Sequence, residues 1–545
     1  MRLTAFDWSI VGTVLAMTLL VGFWARRAAS RDSTAYFLGG RSMPWWLLGT
    51  SMVATTFATD TPNLVTGLVR EHGVAGNWSW WCFLLTGMLT GFVYARLWRR
   101  LGVATDIEFY EIRYSGRAAA FLRGFRAAYL GIFFNVMIMA TVTLALVKYA
   151  NVLFGVSPVA IVVIASIVTV VFSAMGGLLG VLVTDLLLFL MSMTGAVIAA
   201  IVAVSHPDVG GLAALLSSPE VAAKKNFLPD LSDPNQYVPL LLVPLLIQWW
   251  SAWYPGSEPG GGGYVAQRML AARNESDAAG ATVFFNVAHY AIRPWPWILV
   301  ALASLVVFPD LNSIKAALPH VADELVADDL AYPAMLTLLP PGLLGVVVAS
   351  IVAAYVSTIS TSLNLGSSYV VNDLYVRFIE PGASEARRVL IGRMLTVLLM
   401  LLAGMLALVL ESAVQGFRML LSVGAGTGLL FFLRWFWGRV NAWSEISAML
   451  LSFSVSIYLH LWSPPGLELW QRFALTVGLT TVGWIAVTLL TPRTETATLE
   501  RFTARIADAN GAGPDIRRGI VKALLATLGV YALLFGIGFI LYGVS

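Results

Sequence analysis

Residues 353–364 read Ala353-Ala354-Tyr355-Val356-Ser357-Thr358-Ile359-Ser360-Thr361-Ser362-Leu363-Asn364, with five hydroxyl side chains in six consecutive positions, and they lie inside an apolar run over 339–364. Ser357, Ser360 and Thr361 stand at i, i+3 and i+4, so on a helix they share one face. Two accounts fit. The stretch can be a close helix–helix interface whose hydroxyls bond back to their own carbonyls. It can also be an oxygen-lined site for a hard cation such as sodium, which prefers hydroxyl and carbonyl donors.

The surrounding chain says where this helix sits. Of 545 residues 58% are hydrophobic and only 12% charged, and the mean hydropathy is +0.79. A soluble chain carries about 25% charged residues, and a chain this apolar lacks the polar groups to cover itself in water. A soluble enzyme, a disordered scaffold and a disulfide module are excluded, the last because Cys82 is the only cysteine. A net charge of +4 is too weak to point to nucleic acid. The chain reads as an all-α polytopic membrane protein whose partner is the lipid bilayer.

A spanning helix needs about 20 mostly apolar residues. Fourteen windows qualify: 7–25, 44–68, 77–95, 127–148, 157–176, 180–204, 238–254, 282–308, 339–364, 389–410, 413–433, 442–460, 472–490 and 519–542. The first is read as a retained helix, because only Arg2 precedes it and its arginine pair follows the apolar run. With the N-terminus outside, 25 of the 34 Lys and Arg fall in loops on one face and 7 on the other. That asymmetry marks the first face as cytoplasmic and places both termini on the opposite side of the cell membrane. The longest polar stretches, near 205–237, 309–337 and 491–518, are too short for an independent domain.

Two windows look broken. Ala58-Thr59-Asp60-Thr61-Pro62-Asn63 sets polar groups and a proline at mid-span, and Pro244 is followed by Trp253-Tyr254-Pro255-Gly256-Ser257-Glu258-Pro259 and Gly260 to Gly263. If the first helix is an appendage, the broken helices open two successive five-helix sets, over 44–204 and 238–433. Residues 1–43 are then an added helix and loop, 205–237 an external loop, and 434–545 additional helices. This is the pattern of inverted-repeat transporters, whose discontinuous helices meet at a midplane site. Asp185, after Gly176-Gly177, lies inside a span where an ionisable group needs a partner. That partner is either an arginine or a cation shared with the serine-rich helix.

In this order the chain resembles the sodium:solute symporter family over nearly its whole length. The motifs are Gly39-Gly40-Arg41, Arg96-Leu97, Arg113-Tyr114, Gly176-Gly177 with Thr184-Asp185, Gln267-Arg268-Met269-Leu270-Ala271-Ala272, Leu339-Pro340-Pro341-Gly342-Leu343, Asp373-Leu374-Tyr375 and Trp437-Gly438-Arg439. The resemblance implies a LeuT-type five-plus-five core with one helix in front and three behind. It implies a main sodium site from the carbonyls of Ala54, Phe57 and Ala354 with the hydroxyls of Ser357 and Thr358. A second sodium, present in some members, falls on Asp185, Ser360 and Thr361, sharing Ser357, so one or two ions per cycle are expected. The family's Asn-Gln pair before Gln267-Arg268 is here Gly262-Gly263, which detaches this chain from any known substrate specificity.

Substrate groups are expected on the broken helices and those facing them: Asp60, Thr61, Trp253, Tyr254, His289 and Arg293. Asn286, His289 and Arg293 stand at i, i+3 and i+7 on an otherwise apolar helix. Arg293 either pairs with Asp60 or another buried carboxylate, or holds a polar solute bidentately. Glu411 is a candidate partner for Arg418. Trp80, Trp81, Trp249 and Trp250 can join Trp253 and Tyr254 in a stacking wall or sit in interfacial belts. The expected activity is sodium-driven symport of a small polar solute (sugar, sugar acid or amino acid) by a monomer, not enzymatic catalysis. The rivals are proton coupling through Asp60 or Asp185 and a non-transporting sensor.

Overall fold

The computed structural model describes residues 3–543 except 252–258, 322, 324–325, 411–424, 463–465 and 509–512. Among the described residues there is no strand, only one bridging pair between Met43 and Ala272, and nine helices are long and apolar enough to cross a membrane. Lipid leaves backbone groups no partner, so the chain satisfies them within helices.

In chain order the helices are α1 (Ala5–Ala29), α2 (Trp45–Thr56), α3 (Thr61–His72), α4 (78–101), α5 (Gly116–Phe154), α6 (Pro158–Ala174) and α7 (Gly176–Val204). There follow α8 (234–246), α9 (Gly263–Ala271), α10 (Glu275–Val307), α11 (Leu343–Ile379) and α12 (Glu385–Ala407). The last are α13 (Gly428–Leu433), α14 (Ala442–Leu461), α15 (Leu469–Leu490) and α16 (Ile516–Leu541). The serine-rich helix α11 packs along α7, and α1 lies against both. The window 413–433 is described only from 425 onward, and Glu411 and Arg418 lie outside the described residues.

Both expected interruptions occur. The first window splits between Thr56 and Thr61, where Phe57 leaves helical geometry at ψ 66°. Pro62 sits in the first turn of α3, a position that needs no amide donor. The second window departs from helix at Ile247 (φ −123°), passes a short turn over Gln248–Trp250, and resumes helix at Gly263. Gly261, at φ +95°, has no room for a Cβ, which would lie 2.6 Å from Met269 Cε and 2.9 Å from Trp98 Nε1. The start of the first broken unit is joined to the end of the second, because Met43 N–H donates to Ala271 O at 3.2 Å and Arg273 N–H to Met43 O at 3.1 Å.

α6 and α7 meet at Gly177, whose φ of +52° is left-handed. A Cβ there would stand 2.9 Å from Tyr36 O and 3.0 Å from Ala29 Cβ. Gly177→Ala is therefore expected to destabilise the protein by about 1–3 kcal/mol, the cost of a side chain held in that backbone region. At Gly176 the nearest atom to a new Cβ is 3.4 Å away, so Gly176→Ala should be tolerated. Melting curves of the two purified variants check this, and equal melting points would show that the turn does not need its glycine.

Candidate functional site

The break between α2 and α3 faces α11, and the site forms there. Ser51 and Thr55 are i, i+4 on α2, and Ser357 and Thr361 are i, i+4 on α11, so two hydroxyl-bearing faces oppose each other. Thr55 Oγ1 and Thr361 Oγ1 are 3.1 Å apart. Thr358 Oγ1 donates to Thr55 O at 2.9 Å, which sets that hydroxyl against the last turn of α2. Beyond that turn Thr61 N–H bonds to Ala58 O, leaving the Phe57 carbonyl outside the helical ladder. Carbonyls released by a helix end beside buried hydroxyls are the donor set a hard cation requires. Of the residues expected for the main sodium site, Ser357 and Thr358 bring hydroxyl oxygens here and Phe57 a freed carbonyl, whereas the Ala54 carbonyl accepts from Phe57 N–H at 3.1 Å.

The second expected site differs in content. Ser357 Oγ donates to Asp185 Oδ1 at 2.6 Å, and Ser51 Oγ donates to Asp185 Oδ2. Arg268, projecting from α9, enters the same cluster. Its Nη2 donates to Thr361 Oγ1 at 2.7 Å and lies 3.8 Å from Asp185 Oδ2, while Nε and Nη2 reach Ser51 Oγ at 3.2 and 3.1 Å. Nη1 donates to Gln267 Oε1 at 2.8 Å. Ser360 is turned back on its own helix, donating to Ser357 O at 3.1 Å. Asp185 thus has the arginine partner of the first account, and its carboxylate also accepts from the serine-rich helix. Both charges are fully buried, and each desolvated ion is compensated by the other and by hydroxyls.

Next to the break lies a cavity of about 100 Å³ whose polar lining comprises Thr55, Thr56, Asp60, Thr61, Thr141, Tyr264, His289, Tyr290, Arg293 and Thr358. Four of the six residues expected to contact solute therefore share one cavity. The other two, Trp253 and Tyr254, lie outside the described residues. Of the expected tryptophan wall, Trp80 lines the cavity, while Trp81 is fully buried against Trp78. Asn286 parts from His289 and Arg293 and faces a neighbouring cavity of about 40 Å³. A π-turn over Ala288–Ile292 adds a residue between them and widens the face.

Arg293 is not paired with Asp60. Its Nη1 donates to Val53 O and Thr56 Oγ1, both at 3.2 Å, and its guanidinium carbon lies 5.8 Å from the Phe57 ring centroid and 5.3 Å from that of Trp297. His289 Nδ1 is 3.3 Å from Thr56 Oγ1. Sequence reading missed Ser51, Thr55, Thr56 and Arg268. Only the recurrence of i, i+4 hydroxyl pairs on α2 and α11 could have signalled the first two.

The profile of the sodium:solute symporter family matches residues 36–452. A sodium/glucose cotransporter of Vibrio parahaemolyticus is 26% identical over 477 residues, covering 84% of this chain and 85% of that protein. The human sodium/myo-inositol cotransporter 2 is 26% identical over 489 residues, covering 82% of this chain and 69% of that protein. The solved structure of a Na⁺-coupled sialic acid symporter, substrate-bound and outward-open, superposes with a TM-score of 0.71 at 21% identity, covering 90% of this chain and 99% of that one. The shared fold is the LeuT-type helical arrangement, in a multi-pass membrane protein.

Proposed function

The chain belongs to the sodium:solute symporter family, and from that membership we propose that it moves a small polar organic solute by sodium-coupled alternating access in the cell membrane. The cavity at the α2–α3 break carries the reading, because it joins expected solute groups to Thr358 of the expected ion site. The coupling ion sits among Ala54, Phe57, Ala354, Ser357 and Thr358. Solute contacts come from Asp60, Thr61, His289 and Arg293, with Trp253 and Tyr254 beyond the described part of the second break. Residues 44–204 and 238–433 form the two repeats, and both termini lie outside the cytoplasm of a monomer.

A single coupling sodium is proposed. The Asp185, Ser360 and Thr361 cluster already contains a cation, the Arg268 guanidinium, and a second sodium would have to remove Nη2 from Thr361. Sodium in the main site favours the solute-binding conformation, and linkage requires bound solute to tighten sodium by the same factor.

Purified protein should bind ²²Na⁺ at one ion per chain and melt at a higher temperature in Na⁺ than in K⁺ or choline at equal ionic strength. Indifference to Na⁺ together with a response to pH would point instead to protons as the coupling ion. Binding of two ions per chain would overturn the stoichiometry.

A further inference from the structure

We infer that the solute is a small carboxylate held by Arg293, so that one sodium and one solute cross together with no net charge. The inference rests on the sodium symport proposed above and adds the chemical class of the cargo.

Two ionisable side chains of opposite sign line the cavity at the α2–α3 break, Asp60 and Arg293, with His289 beside them. No ion pair within 4.0 Å joins the two among the described residues. Arg293 is almost completely buried, yet it spends only Nη1 on protein acceptors, and its Nε has no hydrogen-bond partner. Phe57 and Trp297, whose ring centroids are 4.8 Å apart, lie on one side of the guanidinium, which leaves its other side for an acceptor. A guanidinium edge matches a carboxylate with two parallel hydrogen bonds. Asp185 does not compete for this arginine, because Arg268 and two hydroxyls already serve it.

Charge counting leads to the same class. Before loading, Asp60 and Arg293 cancel, as do Asp185 and Arg268. One sodium adds a positive charge at mid-membrane, where an uncompensated charge is costly. A monocarboxylate cancels it, whereas a neutral sugar or a zwitterionic amino acid leaves it standing. The remaining wall is mostly apolar, with Leu64, Val65, Ile138 and Val142 beside the aromatic rings of Trp80, Phe83, Tyr264 and Tyr290 and the hydroxyl of Thr141, and among the described residues no asparagine or glutamine lines the cavity. The threonine hydroxyls are single-atom partners, and among the described residues the lining has no side-chain amide to pair with adjacent hydroxyls of a sugar. A compact anion with a short apolar body fits both sides.

The test uses the full-length protein with propionate, lactate, alanine, galactose and myo-inositol as probes. In Na⁺, propionate or lactate should raise the melting temperature and tighten ²²Na⁺ binding, and the other three should not. Arg293→Gln should weaken the carboxylate effect by about a hundredfold, the order expected for an uncompensated midplane charge, and should tighten rather than abolish ²²Na⁺ binding without solute, because Asp60 loses its counter-charge. Arg293→Lys, which keeps the charge but loses the fork, should lie between and serves if Arg293→Gln does not fold. In proteoliposomes, sodium-driven carboxylate uptake should be unchanged by a valinomycin-imposed potential. Response to galactose, myo-inositol or alanine instead, or carboxylate uptake driven by the potential, would overturn the inference and leave sodium symport standing. Absence of any ²²Na⁺ binding would remove the symport reading and this inference with it.

Discussion

Sodium binding is expected to weaken by about a hundredfold or more when Ser357→Ala and Thr358→Ala are combined. Each lost hydroxyl removes one donor to a charged group, worth about 1.5–3 kcal/mol, and each 1.4 kcal/mol is a factor of ten. The single variants divide the effect. Thr358 reaches only Thr55 O, so Thr358→Ala reports on the main ion site with little other disturbance. Ser357 also donates to Asp185, so Ser357→Ala should lower stability as well as affinity. Isothermal ²²Na⁺ binding beside a melting curve separates the two. Full sodium affinity in the double variant would place the ion elsewhere.

The second large effect concerns the Asp185–Arg268 pair. Arg268→Gln leaves a fully buried carboxylate with only hydroxyl donors, and Asp185→Asn leaves a fully buried guanidinium without its counter-charge. Removing one partner of a buried pair costs about 3–5 kcal/mol, whereas replacing both with neutral groups is often nearly free. Each single variant should therefore melt well below the parent, and Asp185→Asn with Arg268→Gln should recover most of the loss. The four melting points form a double-mutant cycle that isolates the interaction. Additive losses would show that the two charges do not depend on each other.

Much of the architecture was legible because lipid enforces it. Every satisfied backbone group in an apolar medium implies a helix, so apolar length marked the helices, and Pro62 and the glycines before α9 marked the breaks. Ser357 and Thr361 were legible by helical spacing within one segment. Arg268 was not, because what it does depends on partners far off in the chain. Ser51 is 217 residues from it, and Asp185 is 134 residues from Ser51. Arg293 was legible as an expensive charge, but its partners were not. The i, i+3, i+7 pattern assumed an unbroken α-helix, and the π-turn over Ala288–Ile292 redistributed that face between two cavities.

The bridge between Met43 and Ala272 has a mechanical consequence. It fastens the segment leading into the first broken helix to the end of the half-helix that carries Arg268, and Gln267 Nε2 adds a third tie to Phe37 O at 3.1 Å. Rods tied at one end cannot slide past each other there, and their relative motion is confined to pivoting about the tie. A displacement of the Ala271 end of α9 therefore pulls on the base of α2, the helix that carries Ser51 and Thr55. The hydroxyl face of α2 and the arginine on α9 are thus coupled through their shared anchor at Met43.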